Sequence, residues 1–117
     1  MNTIKTFPAI NINLINKSVD KFDATFTVLD ETGNPYDFFS GYTLSYLNVY
    51  AESDNSTVFL FSSTGSTNQI DMSNAALGTF RVFCNTLAIQ SGEYLYNFFV
   101  KNSTEIESII YGSFTVI

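Results

Sequence analysis

Histidine is absent from this 117-residue chain, and with it the commonest general base and the commonest imidazole metal ligand. No Ser-His-Asp or Cys-His arrangement can be assembled, and catalysis and a bound metal or cofactor are not expected. Cationic side chains are also scarce: Lys5, Lys17, Lys21, Arg81 and Lys101 stand singly against eleven acidic residues, for a net charge of -6. Gripping a phosphate backbone requires clustered cations, so nucleic acid is not an expected partner. No apolar run reaches the length of a membrane span, and no membrane partner is expected. The amino terminus has no basic stretch followed by a long apolar one, so no signal peptide is expected and folding in a cytoplasm is. Cysteine occurs once, as Cys84, which excludes an intrachain disulfide. Cys84 shares parity with Phe80 and Val82, which predicts an inward, structural thiol rather than a reactive one.

What is abundant is alternation. Phe22, Ala24, Phe26 and Val28 are separated by Asp23, Thr25 and Thr27, and Tyr94, Tyr96, Phe98 and Val100 repeat the pattern. Gly112, Phe114 and Val116 close the chain in the same way. A period of two is that of strands with one buried and one wet face. Turn residues recur about every ten positions, as expected of a sandwich or barrel. A chain of this length buries about 65% of its unfolded surface, enough for one self-sufficient core. The expectation is an all-β, antiparallel β-sandwich in a single domain, with residues 1–20 as an edge segment or arm and 21–117 as the core.

Along the chain, Pro8 marks an edge or bend because it cannot donate to a sheet ladder. Strands are predicted over 21–29, 42–50, 57–61, around Ile70 and Met72, over 78–84, 92–101 and 106–117. Asp30 to Pro35 reads as a turn, Phe38 to Gly41 as a bend or helical turn, and Thr86 to Gln90 as a brief helical turn. Two strands carry apolar groups on both faces. In the first, Tyr42, Leu44, Tyr46 and Tyr50 share one face, with Leu47 and Val49 on the other. Phe59 and Phe61 lie in the second. Such strands are either central or present one face to a partner.

Other candidate chemistry is thin. Asp30, Glu31, Asn34 and Asp37 form an oxygen-rich stretch, but its spacing is not that of a calcium loop and a hairpin turn requires the same residue types. Three Asn-x-Ser/Thr triplets, at Asn16, Asn55 and Asn102, are expected by chance in an Asn- and Thr-rich chain. The aromatics Tyr36, Phe38, Phe39, Tyr42, Tyr46, Phe59 and Phe61 read first as core; some could instead stack on sugar rings or face another protein.

Five stretches in order carry a family resemblance. Phe26-Thr27-Val28-Leu29-Asp30-Glu31-Thr32-Gly33-Asn34-Pro35-Tyr36-Asp37 leads into Ser40-Gly41-Tyr42-Thr43-Leu44. Gly78-Thr79-Phe80-Arg81-Val82 and Ser91-Gly92-Glu93-Tyr94-Leu95-Tyr96-Asn97-Phe98 follow, and the chain closes on Tyr111-Gly112-Ser113-Phe114-Thr115-Val116. This order resembles the immunoglobulin-like β-sandwich modules of tailed-phage virion proteins, most of all the amino-terminal domain of baseplate upper proteins. The resemblance implies a non-enzymatic virion part that docks on capsid, neck, baseplate or fibre proteins. Baseplate proteins of that kind continue into linkers and a receptor-side domain, whereas this sequence stops at Ile117, which favours an accessory or decoration protein of the head.

The residues expected to meet partners are Leu47, Val49, Phe59 and Phe61 on the two-faced strands. Ile117 joins them as the end of an apolar terminal strand expected to present an open edge. Self-association through the two-faced strands is a further expectation. The competing expectation is a carbohydrate-binding or adhesion module using Tyr36, Tyr42 or loop aromatics.

Overall fold

A computed structural model describes residues 10–117. The edge or bend expected at Pro8 lies outside the described residues. The strands are β1 (Ile10–Asn11), β2 (Leu14–Asn16), β3 (Phe22–Thr27), β4 (Leu44–Tyr50), β5 (Thr57–Ser62), β6 (Asn68–Asp71), β7 (Thr79–Cys84), β8 (Gly92–Lys101) and β9 (Ile106–Val116). A 3-10 turn, Ala75–Leu77, precedes β7. It ends at Gly78, where φ is 75° and a Cβ would lie 2.5 Å from the Val28 carbonyl oxygen, so a side chain there would force the two segments apart.

Hydrogen bonds run along the path β1-β9-β8-β4-β5-β6-β7-β3, with β2 also paired to β9. The join between β5 and β6 is one residue pair, Ser62 with Gln69. There the path folds over, so that β3, β7 and β6 form one layer and β9, β8, β4 and β5 the other. Aromatic rings close the space between the layers. Phe80 of β7 stacks on Phe98 of β8 at 4.0 Å, and Phe22 of β3 meets Phe61 of β5 at 5.6 Å and Phe114 of β9 at 5.4 Å. The two layers therefore share one core, which includes Val28, Leu47, Val49, Val82, Leu87 and Val100 at zero exposure.

This strand order is the immunoglobulin-like one, with a three-stranded layer facing a layer that carries an extra strand, β5, beside its central pair. A local hallmark agrees. At the start of β8 the Tyr94 hydroxyl donates to the Gln90 carbonyl, 2.8 Å away, the back-bond of a tyrosine corner. Two residues on, where antibody domains place a disulfide cysteine, Tyr96 is buried and its hydroxyl donates to the Ile12 carbonyl at 2.6 Å. That bond ties the edge strands to the centre of the sheet. With one cysteine in the chain, a hydrogen-bonded tyrosine occupies the position of a cross-link.

Three details differ from the sequence expectations, and a fourth is a feature that no expectation covered. The sandwich is not purely antiparallel: β1 and β2 run parallel to β9, and β5 parallel to β6. Thr86 to Gln90 forms no helical turn. It is pulled straight by exchange with the β2–β3 turn, the Leu87 amide donating to Asp20 and the Val19 amide to Leu87, which buries Leu87 and Ile89. The terminal strand is not an open edge, because β9 pairs with β8 on one side and with β1 and β2 on the other. Finally, β9 carries a bulge opposite Phe98 and Phe99, so that Ile109 and Ile110 both turn inward.

Candidate functional site: the outer face of the four-stranded layer

The residues expected to meet a partner divide on inspection. Leu47, Val49 and Phe61 have no exposed surface, and they pack into the core rather than onto a partner. Leu47 lies opposite Phe98 on one side and Phe61 on the other, and Val49 opposite Tyr96 and Phe59, so all follow the inward parity of their neighbours. Phe59 is half-buried against the core, its ring edge-on to Phe61 at 5.1 Å. Ile117 is 62% exposed, but its amide donates to Asn16 and its carbonyl accepts from Ser18, so its backbone is engaged.

The correction moves the candidate surface to the opposite face of the same strands. Residues of β5, β4, β8 and β9 align there in cross-strand rows. One row is Leu60, Asn48, Asn97 and Tyr111; the next is Ser62, Tyr46, Phe99 and Ser108. Leu95 opposite Tyr50, and Ile106 opposite Lys101, extend it to both ends. Tyr46 and Phe99 stack at 5.5 Å, and the Lys101 ammonium lies 6.0 Å from the Tyr46 ring. Val58, Leu60, Tyr111 and Ile106 are exposed, from 38% to 69%. At the centre the Asn48 amide oxygen is shielded from water and has no hydrogen-bond partner.

The outer face of the other layer shows what a solvated sheet of this protein looks like. Arg81 donates through Nε and Nη2 to both carboxylate oxygens of Asp23 at 2.8 Å, Lys21 stands 3.8 Å from the same group, and the guanidinium rests 4.1 Å from the Phe83 ring centre. Thr27 and Thr79 pair hydroxyls beside them. Charges are concentrated there and nearly missing from the first face, where Lys101 and Glu93 lie at opposite ends of β8. A sheet face of aromatic, aliphatic and uncharged polar side chains, with charges held to its margin, has the composition of an interface centre.

The acidic turn is structural. The Asp30 carboxylate accepts from the Thr32 amide and hydroxyl and from the Asn34 amide at 2.6–3.0 Å. Among the described residues no group of three or more potential metal ligands converges. Tyr42 is half-buried, and its hydroxyl donates to the Glu107 carboxylate at 2.6 Å; Tyr36 is packed against the core. Burial pushes both phenols up. The Cys84 thiol is buried and pushed up by desolvation, as its inward parity predicts. No described helix is long and apolar enough to cross a membrane.

Four carboxylates titrate below their ordinary value of 3.8: Asp23 held by Arg81, Asp30 by the Thr32 hydroxyl, Asp54 by the Ser56 hydroxyl and Asp71 by the Ser73 amide. A depressed folded value means the unfolded chain binds more protons as pH falls, so these bonds stabilise fully above about pH 4–5 and fade below it. Thermal melts are therefore expected to be level from neutral pH to about pH 5 and to fall steeply below about pH 4. A midpoint that rises on acidification contradicts this.

No protein-family model and no curated protein sequence matches the chain. Among solved structures it is similar to a chain in the crystal structure of the ZIG-8-RIG-5 IG1-IG1 heterodimer, at 10% identity and a TM-score of 0.37, over 100% of this chain and 90% of that one. The fold assignment stands on the strand order and the tyrosine corner.

Proposed function

We propose that this protein is a non-enzymatic structural module of a tailed-phage virion that works by protein–protein contact. In this reading it is an accessory or decoration protein of the head, or a tail or baseplate component. The motif order along the sequence supports the phage context. The observation that carries the contact role is the aromatic, nearly charge-free outer face of β5, β4, β8 and β9, set against the charged outer face of the other layer.

The first partner for that face is a second copy. Each copy carries a net charge of -6, and copies repel at long range. The face itself is nearly free of charge, so it is where two copies approach at least electrostatic cost. Light scattering over a concentration series is expected to show mass rising to a defined oligomer. Association should be tighter at about 0.5 M salt than at about 0.05 M, because salt screens the repulsion but spares apolar contact. A monomer at every concentration and salt level contradicts self-association through this face.

A further inference from the structure

A second surface, separate from the outer face, has a different chemistry. Where β5 and β6 part beyond their single pair, a cleft of about 410 Å³ opens at the edge of the sandwich. Phe59 and Phe83 contribute aromatic rings, and Asn68, Gln69, Asn85 and Thr86 contribute amides and a hydroxyl. No charged residue lines it among the described residues. Its size falls within the usual range of small-ligand sites.

Much of the hydrogen-bonding capacity is unspent. The Gln69 amide nitrogen donates to the Ser66 carbonyl, which orients the side chain and leaves its oxygen open. Among the described residues, the side chains of Asn68, Asn85 and Thr86 have no hydrogen-bond partner. Amides and hydroxyls that both donate and accept, beside aromatic rings, complement a ligand that alternates hydroxyls with C–H faces. The nearest cation, Arg81, rests on the Phe83 ring but is held by both carboxylate oxygens of Asp23, so phosphate, sulfate and carboxylate groups are disfavoured, and the protein's net charge of -6 adds to that.

We infer that this cleft is a binding site for a neutral oligosaccharide, stacked on Phe59 and Phe83 and hydrogen-bonded by Asn68, Gln69, Asn85 and Thr86. Of the aromatics that the sequence offers for sugar stacking, Phe59 lies in the cleft, whereas Tyr36 and Tyr42 lie outside it. The inference does not rest on the assembly reading, because it uses none of the outer-face residues. A small accessory module with such a cleft would hold a glycan surface on one side while its sheet face meets protein.

The test is an amide-shift NMR titration of the intact protein with maltohexaose, cellohexaose and chitohexaose, with a polyphosphate as the charged control. At least one glycan is expected to give saturating shifts confined to Asn68, Gln69, Asn85, Thr86 and their neighbours, and the polyphosphate none. Phe59→Ala should weaken that binding about tenfold. Because Phe59 also packs against Phe61, the solvent-exposed variants Asn85→Ala and Thr86→Ala serve as the fold-neutral pair. Each should weaken binding severalfold with an unchanged spectrum elsewhere. The inference is overturned if no glycan gives saturating shifts at tens of millimolar, if the shifts fall on Tyr46, Phe99 and Tyr111, or if Asn85→Ala and Thr86→Ala bind as tightly as the parent.

Discussion

Phe80→Ala is expected to remove about 3–5 kcal/mol of folding free energy, the range for truncating a fully buried aromatic. Phe80 is 1% exposed and meets three other rings, stacking on Phe26 at 4.9 Å and on Phe98 at 4.0 Å and meeting Phe38 edge-on at 5.5 Å. Phe26 belongs to the same layer and Phe98 to the opposite one, so this ring holds the two layers in contact. The surrounding rings are themselves buried, and Phe26 and Phe98 are fixed by the ladders, so refilling the space requires a strand to move. A domain of this size has about 5–15 kcal/mol in total, so the variant should stand near the threshold of folding. Its melting point should fall by roughly 10–20 °C. Phe80→Leu, which keeps most of the volume, should cost under about 2 kcal/mol. Denaturant unfolding followed by circular dichroism measures both. A loss below about 1 kcal/mol for Phe80→Ala would mean that the layers are not joined through this ring.

The second large effect is expected on association without any on folding. Leu60 and Tyr111 end the row that crosses the outer face, and they are 41% and 44% exposed. Leu60→Glu combined with Tyr111→Glu places two carboxylates where an interface must exclude water. Contact at such a centre is typically worth 2 kcal/mol or more per hot-spot residue, so association should weaken by at least about 30-fold. The melting point should stay close to that of the parent, because neither side chain belongs to the core. Adding negative charge alone raises the repulsion between copies. Thr25→Glu with Thr27→Glu, on the outward side of the opposite layer, therefore serves as the control of equal charge, and it should leave association nearly unchanged. Equal weakening by both pairs would assign the effect to charge and not to the face.

How far the sequence reaches is plain from particular strands. β8 is predicted and observed over the same residues, Gly92 to Lys101, because Gly92 begins it, the Asn102 turn ends it and its alternation is strict. β3 and β7 are legible for the same reason: their inward apolar residues alternate with outward ones that are polar except for Phe83. β4 and β5 are not, because both of their faces are apolar and period two cannot say which is inside. The choice depends on the opposite layer, where Phe22 reaches Phe61, a contact no local pattern encodes. The parallel pairing of β2 with β9 is hidden for a related reason, since it joins residues about a hundred positions apart. So Ile117, read as an open edge, is bonded on its backbone. The cleft was not legible either. It exists because β5 and β6 share a single pair and then part, and only the folded path brings Phe59 toward Asn85.

The measurement that bears most directly on the central claim is hydroxyl-radical footprinting of the protein at low and high concentration, read residue by residue. The account predicts concentration-dependent protection of Leu60, Tyr46, Phe99 and Tyr111, with Phe83 and Tyr36 unchanged. Protection confined to the Asp23 and Arg81 face, or a pattern that does not change with concentration, would contradict it.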